Sequence, residues 1–307
     1  MSGRLDGRVE IVTVAARGIG RSEALLLASE GARVVVNDLG GSPAGEGADA
    51  SPAEEVVAEI KKAGGDAVAN FDSVASMEAG ERMVKQAIDT WGRLDIVVNN
   101  AGILRDRMIF NTTEQEWDDV IAVHLKGHFT VTKFASMVFR QQRSGRLIGT
   151  GSSSGLGNMG QANYAAAKEG IAGLFRTLAR DLGRYGVTAN YIRPGAATRL
   201  TQSPEMEQAR QRSAAQGLAR AGGGASLDDR GPDRVAPLVV WLCTDAAANV
   251  NGQDFGVGGN TVSLYSQPTP VNNIYRQGGW TLDALDEVFP QTIGRGLVNP
   301  MPPQAPK

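Results

Sequence analysis

Residues 9–20 read Val9-Glu10-Ile11-Val12-Thr13-Val14-Ala15-Ala16-Arg17-Gly18-Ile19-Gly20, and this stretch decides the fold. Its first five residues are mostly apolar and β-favouring, as a buried strand requires. Gly18 and Gly20 then mark a turn that opens a helix, which the pattern carries to Glu30 and stops at Gly31. Glycines at such a turn let the backbone approach a pyrophosphate, and the helix N-terminus behind them offers free N–H groups. Alone, that pair is weak, because many strand-to-helix turns contain glycine. Asp38 strengthens it, standing about 20 residues on at the end of the next apolar run. A carboxylate there accepts hydrogen bonds from a ribose diol and repels a 2′-phosphate, which favours NAD over NADP. Arg17 is the opposing signal, since it can hold a 2′-phosphate, and a plain surface role is the other reading of Asp38.

Outward from this turn the chain alternates short β-rich runs with longer amphipathic ones. Strands are expected at residues 9–13, 33–37, 67–71, 96–99, 146–150 and 188–192. The unbroken valines of the second suit a parallel strand covered on both faces. Thr113 and Glu116 form a capping box for a helix, and a further helix is expected over residues 164–185. The rhythm predicts an α/β fold, a doubly wound parallel sheet of about seven strands with helices on both faces, Rossmann-like and in one domain. That domain is expected to cover residues 1–267, with 268–307 as a Pro-rich C-terminal extension covering an oligomer or substrate surface and helical only over residues 282–288. Residues 40–51 form an unusually long Gly-rich connection, and 202–232 an Ala/Gly-rich flap beside the site.

Composition narrows the function. At 307 residues, 42% hydrophobic and 21% charged, the chain is an ordinary globular one. A net charge of −2 gives no basic face for nucleic acid. The single Cys243 fits a reducing, cytoplasmic setting, and no apolar run is long enough for a membrane span. The polar start at Met1 runs directly into a strand, which reads as the absence of a signal peptide.

Tyr164 and Lys168 stand four apart at a helix start and so share a face. A phenol near pKa 10 is a poor proton carrier at neutral pH. A neighbouring ammonium and a cationic nicotinamide favour its ionised form and bring that value down. Just upstream, Gly151-Ser152-Ser153-Ser154-Gly155 leaves the fifth strand at the ligand-binding end of the sheet, where a serine hydroxyl can hold a substrate oxygen.

With these residues in view, residues 5–262 resemble the short-chain dehydrogenase/reductase family. The glycine-rich turn, Asn99-Asn100-Ala101-Gly102, Tyr164-x-x-x-Lys168 and Pro194-Gly195 all occur in the family's order. Within it the chain resembles the (3R)-hydroxyacyl-CoA dehydrogenase part of peroxisomal multifunctional enzymes of type 2, also called 17β-hydroxysteroid dehydrogenases. Residues 36–41, 69–74, 100–107 and 160–164 carry that likeness. The resemblance implies an NAD-dependent dehydrogenase of a secondary alcohol, a 3-hydroxyacyl-CoA or a steroid-like bulky alcohol. Thr13, Ala16, Arg17, Gly18, Ile19, Gly20, Asp38, Ala101, Gly102, Pro194 and Gly195 would line the dinucleotide. Asp72 and Ser73 would border the adenine, Asn99 would steady the cofactor-side strand, Lys168 would hold the ribose and Thr198 the carboxamide. His124 would relay protons, as its family position often does. The resemblance further implies a homodimer or homotetramer, with the helices after Glu116 and Asn163 at the interface.

Four features depart or stay open. Val14 replaces the family's first glycine, which is costly if that position needs a positive φ. Glu10 lies inside a strand expected to be buried, where a carboxylate needs a partner or a proton. The strand register selects Ser152 as catalytic, with Ser153 the alternative, although counting back from Tyr164 reaches Gly151. His124 and His128 share a helix face without a third ligand, so no metal site is expected. Arg105, Arg107, Arg193 and Arg199 are candidate cations for a CoA substrate, and Tyr191 for a ketoreductase pocket accepting bulky cyclic or aryl ketones. A dinucleotide-binding sensor or scaffold with little turnover is the rival from outside enzymology.

Overall fold

The computed structural model describes residues 3–42, 44–196 and 230–303. These divide into two units, Met1–Tyr265 and Ser266–Lys307. The first unit contains one sheet. Its strands are β1 (Val9–Thr13), β2 (Arg33–Asn37), β3 (Asp66–Asn70), β4 (Ile96–Asn99), β5 (Gly145–Thr150), β6 (Val187–Pro194), β7 (Asp254–Gly258) and β8 (Thr261–Leu264). They run in the spatial order β3-β2-β1-β4-β5-β6-β7-β8. The first seven are parallel, so the doubly wound expectation holds.

Among the described residues these seven parallel strands are joined by an eighth at the sheet edge. β8 turns back through Gly259-Asn260 and pairs antiparallel with β7 at the sheet edge. All four of its residues are exposed, so it has no buried face whose alternation would mark it in the sequence.

The helices cover both faces. α1 (Gly18–Ser29) and α2 (Ser51–Lys62) lie on one side with α7 (Ala236–Cys243). Their Leu27, Val56, Ile60, Val239 and Leu242 meet Val12, Val34 and Val36 of the sheet. On the other side, α3 (Met77–Trp91), α5 (Gly127–Gln142) and α6 (Ala162–Gly183) bring Met83, Phe139 and Phe175 against Val9, Ile11 and Val35. Odd and even residues of β1 and β2 thus feed opposite cores, the physical reason for an unbroken apolar run. Local signals set the helix ends. Ser76 caps α3, and Gly92 closes it in the left-handed region at φ 77°. The expected Thr113–Glu116 capping box starts α4 (Glu114–Ile121). α4 continues into α5 through a π-helical segment, Ala122–Lys126, which the sequence does not announce.

Neighbours of β1 lead in opposite directions, to β2 on one side and β4 on the other. The crevice beyond the carboxyl ends of β1 and β4 is where ligands enter such sheets. In the second unit, α8 (Leu282–Val288) is capped by the Thr281 hydroxyl, which accepts from Ala284 N.

Candidate active site

Thr13 closes β1 and anchors the turn. Its Oγ1 accepts from the backbone N–H groups of Asn100 (2.9 Å) and Ala101 (3.1 Å). Asn100 in turn donates to the carbonyl oxygens of Thr13 and Val14. Gly20 has to be glycine, since a Cβ would lie 2.4 Å from the Val14 carbonyl. Val14 takes φ +51°, so the suspected strain is real: a β-branched side chain occupies the left-handed region. The N-cap Arg17 makes no side-chain cap, and the first turn of α1 carries no acidic residue. Those amides are therefore available to an anion.

Asp38 is buried rather than a surface strand end, which corrects that alternative. Its Oδ2 accepts from Ala16 N (3.0 Å) and its Oδ1 from Gly40 N (2.7 Å), so it braces both sides of the crevice. Arg17, Gly18 and Ile19 line the crevice with Asp38, and so do Asp72, Ser73 and Gly102. Asp72 is also ion-paired to Arg82. Together the uncapped helix start, the tight glycine and the anchored carboxylate fit a dinucleotide, with Val14 the one strained point. The long connection after β2 does more than join two elements. Its Gly41, Ser42 and Gly45 form a wall of the crevice, and Gly45 lies close against Ile103. Its length was the only sequence signal.

Beside the crevice, behind its lining residues Ile103 and Val123, lie the reactive side chains. Tyr164 packs in one cluster with Ile103 and Val123, both of which line the crevice. Lys168, one turn further along α6, is buried with its Nζ 5.5 Å from the Tyr164 ring centre and donating to the Thr150 carbonyl at 2.6 Å. Ser152 is the serine whose side chain acts on the Tyr164 phenol, in the direction that lowers its pKa. Its Oγ also accepts from Ser154 N, capping the short turn Ser153–Leu156.

The α6 start is fixed from below. Asn163 Oδ1 accepts from Tyr164 N, and its Nδ2 donates to the carbonyls of Arg105 and Glu116. His124, within the π-helical segment, meets the Tyr164 ring edge-on at 5.1 Å. Its Nε2 lies 2.8 Å from the Ile103 carbonyl oxygen. Such segments often mark functional sites. His128 places its Nδ1 2.7 Å from the His124 carbonyl, so the two rings do not face one point. No group of three or more His, Cys, Asp or Glu converges among the described residues.

The electrostatics differ from expectation in one respect. Burial pushes the Tyr164 phenol up to about 12, against a lowering by the Ser152 hydrogen bond. Burial brings the Lys168 ammonium down to about 7. Burial first, and Lys168 second, holds His124 well below its ordinary value, so its ring is neutral. The expected lowering of the phenol by Lys168 therefore does not come from the protein's own groups, because burial disfavours charge on both.

Asn99 is buried and donates to Thr132 Oγ1, tying β4 to α5. Pro194 ends β6, and Gly195 N donates to the Val257 carbonyl at 2.7 Å. Two expectations fail. Arg193 is buried in ion pairs with Asp254 and Glu169, so it offers no cation to a substrate. Tyr191 is buried and hydrogen-bonded to the Lys168 carbonyl, so it lines no ketone pocket. Arg105 pairs with Glu46 and Asp119, and Arg107 with Glu116. Thr198, Arg199 and the expected flap up to residue 229 lie outside the described residues.

Known proteins resemble this chain in sequence and in fold. The short chain dehydrogenase family profile matches residues 8–210. The chain is 46% identical over 275 residues to peroxisomal multifunctional enzyme type 2 of Mus musculus, covering 89% of this chain and 35% of that protein. It thus spans about a third of that enzyme's length. Hydroxyacyl-CoA dehydrogenase ChsB1 of Mycobacterium tuberculosis is 44% identical over 282 residues, with 86% and 81% covered. A solved short chain dehydrogenase from Mycobacterium avium superposes with a TM-score of 0.81 at 43% identity, over 95% of this chain and 96% of that one.

Proposed function

The chain is an oxidoreductase of the short-chain dehydrogenase family, served by a nicotinamide dinucleotide, and on that premise we propose that it interconverts 3-hydroxyacyl-CoA and 3-oxoacyl-CoA thioesters with NAD. The observation that supports the reading is the grouping of Ser152, Tyr164 and Lys168 beside the crevice, with Tyr164 packed on its lining residues Ile103 and Val123. The substrate class rests on the relatives named for multifunctional and hydroxyacyl-CoA activity. Buried Tyr191 withdraws one of the two features that favoured bulky aryl ketones.

When bound, the dinucleotide supplies or accepts the hydride and, when oxidised, a positive charge. The chain's own residues handle the proton and the oxygen. Ser152 orients the substrate oxygen beside the Tyr164 hydroxyl. Tyr164 takes the alcohol proton during oxidation and returns it during reduction. Lys168, buried one helical turn beyond Tyr164 on the same face, would hold the ribose and set the field around the phenol. His124, neutral and edge-on to Tyr164, keeps the ring in place.

NAD is favoured because Asp38 is anchored at the crevice wall by two backbone amides and cannot swing away from a 2′-phosphate. Initial rates with a medium-chain 3-oxoacyl-CoA and with a bulky cyclic ketone, each with NADH and NADPH, test the proposal. The expected result is turnover of the thioester with NADH favoured at least about tenfold. Preference for NADPH, or turnover of the cyclic ketone alone, would overturn it.

A further inference from the structure

β6 supplies two side chains that neither the turn nor the hydride-transfer centre uses. Tyr191 and Arg193 stand two apart on one face of the strand, and both are buried. The Tyr191 ring fills the space beside Gly151, where a Cβ would come within 1.8 Å of the ring's Cζ. Glycine at 151, the residue that disturbed the counting of the catalytic serine, is what admits this ring.

The Tyr191 hydroxyl donates to the Lys168 carbonyl at 2.8 Å and accepts from Ser152 N at 3.3 Å. Arg193 completes the hold, its Nη1 donating to the Ser152 carbonyl at 2.9 Å. Its remaining nitrogens are chelated: Nε by both oxygens of Asp254 (2.9 and 3.0 Å), Nη2 by Asp254 (2.7 Å) and Glu169 (3.0 Å). The guanidinium also stacks at 5.0 Å over the rings of Tyr191 and Tyr265. The Ser152 backbone is thus pinned at its nitrogen and its oxygen, and one hydroxyl ties it to the turn of α6 that bears Lys168. An apolar pair would fill the same face without the desolvation that a buried ion pair demands. The polar version therefore points to geometry rather than to stability.

We infer that Tyr191 and Arg193 are positioning residues of the active centre, locking the Ser152 backbone to that of Lys168 so that both groups keep a fixed relation to the Tyr164 oxygen. The inference rests on the proposed Ser152–Tyr164–Lys168 reading. Tyr191→Phe keeps the ring and removes only the oxygen that joins the two backbones. With acetoacetyl-CoA and NADH as probes, kcat falls roughly tenfold. The KM for NADH stays within about twofold, and the melting temperature stays close to that of the parent. The kcat/KM–pH midpoint of the phenol moves up, because the Ser152 hydrogen bond that lowers it is loosened. Arg193→Lys keeps a charge opposite Asp254 but loses the fork that reaches Ser152, and gives the same split.

Unchanged kcat and an unmoved pH profile in both variants overturn the inference. A rate loss that merely follows a lowered melting temperature, with the profile unmoved, does so too. Tyr164→Phe, assayed alongside, separates the two levels. If it still turns over, the reading of the centre fails and takes this inference with it. If it is inactive while Tyr191→Phe behaves as the parent, only the positioning role falls.

Discussion

Val14 shows how one side chain can strain a site that otherwise fits its ligand. Its φ of +51° is a conformation that costs an L residue about 1–2 kcal/mol. Val14→Gly relieves that strain, which offsets the added freedom of the unfolded chain and the loss of some partly buried contact, so we expect no loss of stability. It also opens the turn to closer backbone approach. A thermal melt and an NADH titration check this; a lower melting temperature or weaker NADH binding would contradict it. Lys168 carries the opposite conflict, between stability and use. Its folded value of about 7 lies below the usual 10.5, so the unfolded chain binds more protons between those two values and stability rises with pH across that window. The penalty of burying the charge is greatest below pH 7. Lys168→Met should therefore abolish turnover yet raise stability by ~1–2 kcal/mol at pH 6, the gain shrinking toward pH 10. Denaturant titrations at those two pH values measure it. Equal stabilisation at both would contradict the burial argument. The four-residue spacing made Tyr164 and Lys168 legible in the sequence. Tyr191 and Arg193 were legible only as substrate contacts, because a strand buried on both faces gives no sign of which backbone its side chains will hold.

Among elements, β1 is the one that breaks its own rule. Glu10 is fully buried in it, and Glu23 of α1 is buried on the same side of the sheet. Their carboxyl oxygens have no hydrogen-bond partner among the described residues. Burial, with Glu23 adding to it, raises Glu10 far above its usual range, and burial lifts Glu23 to about 8. Both are thus protonated at neutral pH, which answers how a carboxylate sits in that strand. From about the ordinary 4.5 up to about 8, the unfolded chain releases protons that the folded chain keeps, so stability falls as pH rises through that window. Glu23→Gln should flatten the fall between pH 5 and pH 8, read from denaturation midpoints; an unchanged slope would contradict it. The buried parallel strands were readable as apolar runs bounded by turns. β8 was not, since an exposed edge strand carries no burial pattern. The π-helical segment under His124 has no sequence signature, because it is one residue's worth of extra winding inside an ordinary helical pattern.

The whole first unit brings a phosphate-binding turn on β1 and a proton-transfer pair on α6 to the same end of one sheet, although about 150 residues separate them. That convergence follows from the order of strands, which the alternation of runs made legible in outline. The wall formed after β2 did not, since a loop's path is set by what it packs on rather than by its own pattern. Trp117, Phe129 and Met137 on α4 and α5 are exposed apolar side chains. We propose that they lie in a homo-oligomer interface, so Phe129→Glu should lower the mass found by light scattering; a parent that already sediments as a monomer would contradict it. The central claim is that Tyr164 moves the proton while the crevice holds the dinucleotide independently of it. Single-turnover hydride transfer from NADH to acetoacetyl-CoA, measured for Tyr164→Phe at saturating NADH, tests it most directly. The account predicts a rate lower by at least about 10²-fold with NADH affinity unchanged. Transfer at the parent's rate would contradict it.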